Sequence, residues 1–198
     1  APTTGTINNL VVFVRFSDQP EFTQPRSFYE GLFNSASNSL KNFYLQNSYN
    51  ALTVDSSLYP SSIGAIISFQ DSHPTSYYQP YNAVSNPGGY QPGTSSTIRE
   101  TALVTNALNA ISAQIPPGLN LDSDNDGYID HITFEVYSTN ANPLPILFYS
   151  RSTYDAGATV TLAGKMVGTY TWVTAPQDYP GYYLGAIEIH EMGHSFGY

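Results

Sequence analysis

The chain has 198 residues, no cysteine and a formal net charge of −9, from 6 Lys and Arg against 15 Asp and Glu. This acidic balance argues against nucleic-acid binding, because phosphate backbones are bound by clustered Lys and Arg. The lack of cysteine excludes disulfides, thiolate metal sites and cysteine nucleophiles. No apolar run in the sequence approaches the ~20 residues that span a bilayer, so we expect no membrane span.

The polarity of the chain comes from uncharged residues, since charged residues make up only 11%, against about 25% in ordinary soluble domains. Such a composition, with 17 tyrosines, fits the surface of an exported protein. The segment Ala1–Thr4 has neither the basic nor the apolar part of a signal peptide. We therefore expect a secreted, extracellular protein in its mature form.

The first half of the chain predicts strands where β-branched and aromatic residues cluster, and helices where apolar residues recur at helical spacing. A long Pro-, Gly- and Tyr-rich segment then predicts a surface excursion. In chain order these elements are a strand over Leu10–Phe16, helices over Ser27–Phe33 and Asn38–Gln46, strands over Ala51–Asp55 and Ile63–Phe69, and the excursion over Asp71–Ser96.

The longest predicted helix covers Ile98–Ile115 and is opened by a Thr97-x-x-Glu100 capping box. Its apolar face is assigned to Ile98, Ala102, Leu108, Ile111 and Ile115. We expect this helix to back the sheet.

Alternation in Asp130–Tyr137 predicts a strand with Ile132, Phe134 and Val136 on its one buried face. Further strands are predicted over Ile146–Ser150 and Met166–Val173, and a last helix over Tyr182–Phe196. The predicted fold class is α/β: a twisted mixed sheet with the backing helix and an active-site helix, in one domain over residues 1–198.

The last helix carries the pattern His190-Glu191-Met192-Gly193-His194. Residues four apart lie one above the other on a helix, so the two imidazoles stand about 6 Å apart and can bind one Zn²⁺. Glu191 lies one step round the helix, where it can act as general base on a water. The alternative is a polar helix face with two hydrogen-bonded histidines.

A second motif is the segment Asp122–Asp130, called the Asp loop below. Its carboxylates at Asp122, Asp124 and Asp126 alternate as they do in calcium loops, with a Gly at the sharp bend. Tyr128 can offer its carbonyl and Asp130 a further carboxylate. An EF-hand carries Glu at position 12 of the loop, where this chain has Thr, so we predict a Ca²⁺ site outside that fold; the alternative is an acidic, solvated turn.

Other polar residues have plainer interpretations. His73 is expected to be solvent-exposed and His131 to be a hydrogen-bonded structural histidine. Ser195 lacks the Gly-x-Ser-x-Gly surroundings of a nucleophile elbow. The tyrosines of the excursion could stack on sugars, although packing is the commoner use; these residues are Tyr77, Tyr78, Tyr81 and Tyr90.

Beyond these patterns, the chain resembles the immune inhibitor A-type peptidases, a secreted bacterial zinc metallopeptidase family related to the metzincins. The resemblance rests on the order of several segments along most of the chain, namely Asn9–Asp18, Ser39–Val54, Asp122–His131, Val167–Tyr170 and His190–Gly197. It implies a metzincin-like N-terminal subdomain and a metalloendopeptidase.

By this resemblance His190 and His194 are zinc ligands and Glu191 is the general base. The family places a third ligand three residues after Gly197, followed by a methionine turn. Because the sequence stops at Tyr198, we expect the C-terminal subdomain to be absent and the chain alone to bind zinc weakly.

The predicted function is therefore hydrolysis of extracellular proteins or peptides with a zinc-activated water, and Ca²⁺ as a second cofactor. The strand near Val167–Val173 is expected to pair with an extended substrate. Two alternatives stay open: a calcium-stabilised binding or adhesion module for glycan or protein, and an inactive domain derived from a peptidase.

Overall fold

The structure of the chain, a computed structural model, describes residues 1–91, 93–139, 148, 150–154, 160–177 and 185–197. The described strands are β1 (Gly5–Arg15), β2 (Leu52–Tyr59), β3 (Phe69–Gln70), β4 (His131–Ser138), β5 (Arg151–Tyr154), β6 (Thr161–Leu162), β7 (Lys165–Met166) and β8 (Thr169–Pro176). The described α-helices are α1 (Arg26–Asn34), α2 (Leu40–Asn47), α3 (Thr94–Ile111) and α4 (Ala186–Ser195), with short 3₁₀ turns at Thr75–Tyr78 and Ser112–Gln114.

The main sheet is mixed, with strand order β2-β1-β4-β8-β5 and β3 paired to the end of β1. β1 runs parallel to β2, β3 and β4, and β4 runs parallel to β8. β5 is antiparallel to β8, and β6 and β7 form a separate hairpin. The predicted α/β class with a mixed sheet is confirmed.

The two faces of the sheet are covered by different helices, because successive side chains of a strand point to opposite faces. Leu10, Val12 and Val14 of β1 lie in the core with α3. Val11 and Phe13 lie in the second core, with residues of α1, α2 and α4. The sheet therefore lies between two helical layers.

This placement corrects the prediction of one buried face for the strand at Asp130–Tyr137. All eight residues of β4 are buried, including Glu135, which is 1% exposed. A central strand of a parallel sheet has helices on both sides, so its polar residues are buried together with its apolar ones.

The start of the longest helix was also predicted wrongly. α3 begins at Thr94, after Gly93, whose φ of +95° is a conformation that glycine adopts readily. Within the described part of the chain no side-chain hydrogen bond caps this end, so Thr97 and Glu100 do not form a capping box. The prediction placed the start of the helix four residues too late, at Ile98 instead of Thr94.

Glu100 has a tertiary role in place of the capping one. Its Oε1 accepts hydrogen bonds from Tyr170 OH at 3.0 Å and Trp172 Nε1 at 2.8 Å. The same oxygen lies 2.5 Å from Arg151 Nη2. These donors come from β8 and β5, so one buried carboxylate fastens α3 to two strands.

The apolar face of α3 differs in part from the predicted one. Ile98 is 62% exposed and Ala102 is exposed, whereas Leu108 and Ile111 are buried as expected. The residues of α3 that form the core are Leu103, Val104, Ala107, Leu108 and Ile111.

Three other predicted elements differ from the described structure or extend beyond the described residues. In the segment Ile63–Phe69 only Phe69 belongs to a strand, and Ile63 is fully exposed. The predicted strand Ile146–Ser150 lies mostly outside the described residues, as do the first three residues of the predicted last helix. None of the described helices is long and apolar enough to cross a membrane.

Candidate metal centres

Helix α4, which carries the HExxH pattern, packs against the rest of the domain along that same stretch. It begins after Gly185, whose φ of +77° places that residue in the left-handed region. Met192 is fully buried in the core with α1 and α2. The hydroxyl of Tyr44 on α2 donates to the carbonyl of Ile189 at 2.6 Å, which ties the two helices together.

The three polar residues of the HExxH pattern come together on this helix. Nitrogen and carboxylate atoms of His190, Glu191 and His194 all lie within 4.8 Å of one another. The two imidazole rings have centroids 4.9 Å apart and are nearly perpendicular, at 84°. His190 is exposed, His194 is half-buried and Glu191 is 7% exposed. This donor set of two imidazoles beside a carboxylate is of the kind that zinc prefers.

A pair of carboxylates missed by the sequence analysis lies between α4 and the sheet. Glu188 of α4 is 6% exposed and Glu135 of β4 is 1% exposed. Among the described residues, Oε2 of Glu188 and Oε1 of Glu135 have no hydrogen-bond partner. Burial raises the pKa of Glu188 to about 7. Burial, and then the charge of Glu188, raises the pKa of Glu135 well above its usual value.

The charges of this pair also act on Tyr29 of α1. The pKa of Tyr29 is raised, first by its own burial and then by the charges of Glu135 and Glu188. Its hydroxyl accepts a hydrogen bond from Gln177 Nε2 at 3.1 Å. The sequence pattern does not reveal this pair, because Glu135 alternates like a solvent-facing strand residue.

The remaining histidines are not part of the HExxH cluster. His131 is fully buried and hydrogen-bonded, as predicted, with hydroxyl groups at both ring nitrogens. His73 is 43% exposed, its Nδ1 lies 3.0 Å from Asp71 Oδ2, and its ring stacks on Tyr77 at 3.9 Å. Both imidazoles therefore have other partners.

The Asp loop brings only part of its predicted donor set together. Carboxylate oxygens of Asp122, Asp124 and Asp130 lie within 4.8 Å of one another. Asp126 is not in this group; its Oδ1 accepts the N–H of Tyr128 at 2.8 Å. Three of the four predicted carboxylates thus form a compact oxygen-rich cluster.

The loop is shaped by hydrogen bonds to Asp122. Its Oδ1 accepts the N–H of Asp126 at 2.9 Å, and its Oδ2 accepts that of Gly127 at 3.0 Å. Gly127 has a φ of +91°, which supplies the sharp bend. Lys165 of β7 donates to Asp122 Oδ2 at 2.7 Å, and this bond holds the pKa of Asp122 below its usual value.

Asp130 is the deepest carboxylate of the loop, at 3% exposure. Its Oδ2 accepts from the N–H and the hydroxyl of Ser123, at 3.0 and 2.7 Å. Its Oδ1 is buried and has no partner among the described residues. Burial raises the pKa of Asp130. A buried carboxylate oxygen without a donor, beside two other carboxylates, fits a hard cation such as Ca²⁺.

The strand expected to pair with substrate is not free to do so. β8 has β4 on one side and β5 on the other, so the prediction for Val167–Val173 is wrong. The antiparallel β5 is the edge of the sheet on this side within the described part of the chain.

The tyrosines of the excursion are mostly packed. Tyr78 and Tyr90 are 1% and 8% exposed. Tyr77 lies between the ring of His73 and the guanidinium of Arg99, which is 3.8 Å from the ring centroid. Tyr81 is 44% exposed. These rings do not form a shared open platform for a sugar.

An apolar cleft of about 540 Å³ lies between α2 and α4, next to the HExxH cluster. Its lining includes Phe43, Tyr44, Leu52, Ile189, His190 and Phe196. The exposed histidine of the cluster therefore borders an apolar hollow.

Comparison with known proteins adds no family to this picture. No protein-family model matches the chain, and no curated protein matches it.

Proposed function

We propose that the chain belongs to a zinc-dependent metalloendopeptidase that hydrolyses peptide bonds of extracellular proteins. The observation that carries the proposal is the single turn of α4 on which donor atoms of His190, Glu191 and His194 lie within 4.8 Å. The exposure of His190 supports it, because a catalytic metal must be open to substrate.

The chemistry divides between the metal and the chain. When bound, zinc polarises a carbonyl group and lowers the pKa of a water, so that the water becomes a nucleophile at neutral pH. His190 and His194 hold the metal. Glu191 accepts the proton of the attacking water and passes it to the leaving amine. Because Glu191 is 7% exposed, its side chain is largely shielded from bulk solvent.

The sheet edge is the place where the chain can bind an extended substrate. Peptides commonly add to an exposed edge through main-chain hydrogen bonds. β5 is that edge, and it lies beside β8 on the part of the sheet that packs against α4. Substrate alignment is thus assigned to β5 instead of β8.

The Asp loop is proposed to hold Ca²⁺ in a structural role. Asp122, Asp124 and Asp130 supply the clustered oxygens. The observation that favours a cation over an acidic turn is the buried Oδ1 of Asp130, which no described residue bonds. The carbonyl of Tyr128 and the carboxylate of Asp126 stay candidate outer ligands.

The adhesion alternative has less support than the enzyme, because three of the four tyrosines assigned to it are packed or stacked within the protein. Only a measurement of peptide hydrolysis distinguishes the inactive-domain alternative from the enzyme.

The test uses the full-length protein with Glu191→Gln. This variant should keep stoichiometric zinc and lose peptide hydrolysis, by more than the 10²–10⁴-fold typical of general-base catalysis alone, because water activation and orientation fail together. Glu30→Gln is the matched control, since Glu30 is a partly exposed residue that pairs with Arg26. Near-normal turnover in Glu191→Gln, or no hydrolysis by the unaltered protein, would refute the proposal.

A further inference from the structure

His131 connects three elements of the site region through its imidazole. It is the first residue of β4 and is fully buried. Its Nδ1 lies 3.1 Å from the hydroxyl of Ser195 on α4, and its Nε2 lies 3.3 Å from the hydroxyl of Thr171 on β8. One imidazole thus links two strands of the sheet to the last turn of the helix.

The protonation state of this imidazole suits both contacts. Burial lowers the pKa of His131 to about 3, so the ring is neutral at physiological pH. A neutral imidazole has one donor and one acceptor nitrogen, and a hydroxyl can serve as either partner. Both ring nitrogens are therefore satisfied in either tautomer, and neither is available to a metal.

The contact reaches α4 at the residue next to a candidate ligand. Ser195 is the last residue of α4 and follows His194 directly. The chain leaves the helix at once, since Phe196 is the C-cap and Gly197 has a φ of +88°. Terminal helical turns fray because their carbonyls lack intrahelical donors, so a fixed side chain in that turn limits how the helix end can move.

We propose that His131 is a positioning residue that fixes the last turn of α4 and thereby the orientation of His194 toward a metal. This inference rests on the proposed zinc function. His131 touches neither metal nor substrate; it acts through Ser195. His131 also follows Asp130 directly in sequence. The Asp loop is therefore connected to the HExxH helix through His131 and its contact with Ser195.

The test compares substitutions that keep one of the two contacts. In His131→Asn the amide takes the place of Nδ1 and can still bond Ser195, whereas in His131→Gln it takes the place of Nε2 and can bond Thr171. Ser195→Ala removes the contact from the helix side and alters a half-buried residue, so it remains useful should the His131 variants fold poorly. Thr133→Val is the control, because Thr133 lies on the same face of β4 and bonds Asn9 instead of α4.

The readouts are the zinc dissociation constant of the full-length protein and the visible absorption spectrum of the cobalt-substituted form. Loss of a hydrogen bond made directly to a metal ligand weakens metal binding by roughly 10–100-fold; because His131 acts one residue away from His194, we take the lower end, about tenfold. We expect that loss, with a changed cobalt spectrum, in His131→Gln and Ser195→Ala. His131→Asn should stay within about threefold of the unaltered protein by the same measure, and Thr133→Val should keep both affinity and spectrum.

Two outcomes overturn the inference in different ways. If the unaltered protein binds zinc and every variant binds it equally with an unchanged spectrum, His131 only supports packing and the proposed function stands. If the unaltered protein binds no zinc, the proposed function fails and the positioning role fails with it.

Discussion

The ammonium of Lys165 lies 2.7 Å from Oδ2 of Asp122, within the cluster of carboxylates that the Asp loop forms. The lysine is on β7, and the hairpin is joined to the loop by main-chain bonds as well: Ile129 N–H donates to the carbonyl of Met166 at 2.8 Å. A positive side chain therefore already offsets part of the repulsion among the aspartates. The same charge also opposes a divalent cation at that oxygen.

Lys165→Met should consequently separate these two effects. Without calcium the variant should melt at a lower temperature, because the carboxylates lose their internal counter-charge. With calcium it should bind the ion more tightly, since one repelling charge is gone. Calorimetric titration and thermal melts measure both. Lys41→Met is the control, because Lys41 pairs with Asp55 at the surface; equal calcium affinity in Lys165→Met and the unaltered protein would count against the assignment.

Calcium removal should lower the melting temperature of the unaltered protein. An ion that binds only the folded chain stabilises it by mass action, by about 2.7 kcal/mol at a free concentration of 100 times the dissociation constant. Asp124→Ala should abolish most of this dependence and leave zinc binding intact. Melting that is insensitive to calcium, together with no heat of binding, would leave the loop as an acidic turn.

The buried acids of the sheet predict a fall in stability as pH rises. The folded chain keeps the proton of Glu135 to a higher pH than the unfolded chain does, because burial raises its pKa. The stability that Glu135 contributes is therefore fully present below the ordinary glutamate pKa of about 4.3 and declines as pH rises toward the folded pKa. The slope is at most about 1.4 kcal/mol per pH unit for one proton. Glu135→Gln, which stays neutral, should show less of this decline in urea melts between pH 5 and pH 8.

Glu21 provides a control of opposite sign. Burial acts to raise its pKa, but hydrogen bonds from Ser68 and the N–H of Phe22, with the charge of Arg15, outweigh burial and lower it. Its stabilisation is present above the unfolded pKa and is lost as pH falls. Glu21→Gln should therefore lose stability at pH 7 and little at pH 3. A parallel pH response of the two variants would contradict both assignments.

Removing the carboxylate of Glu100 should lower the free energy of unfolding more than most single substitutions on α3. Glu100→Ala leaves the guanidinium of Arg151 without this carboxylate and removes the acceptor of Tyr170 and Trp172. Breaking a buried charged pair costs about 3–5 kcal/mol; the partial exposure of Arg151 places the expected loss toward the lower end. Chemical denaturation measures it, with Thr101→Ala on the same helix as control. A loss below that of the control would show that water replaces the carboxylate.

Local sequence was enough for the features that depend on neighbouring residues. The run at Leu10–Phe16 is apolar and β-branched, and it lies almost wholly within β1. The His190 and His194 pair is visible because a helix brings residues four apart together. Only features with local causes of this kind were predicted well.

Features with distant causes were missed. Glu100 matched a capping box by spacing, yet its partners are up to 72 positions away. Glu135 matched a solvent-facing position, yet a helix covers that face. The contact between His131 and Ser195 spans 64 positions. Such pairings follow from the parallel order of the strands, which no short pattern contains.

The central position of β1 also bears on how the chain reaches its folded state. β1 is the first strand along the chain, yet it lies between β2 and β4, and Thr133 bonds Asn9 across 124 positions. Contacts of such wide sequence separation slow folding, because a large loop must close before they form. During synthesis the apolar segment of β1 stays unpaired on one side until β4 has been made. Protection of that segment from other nascent chains is therefore a requirement that the strand order itself imposes.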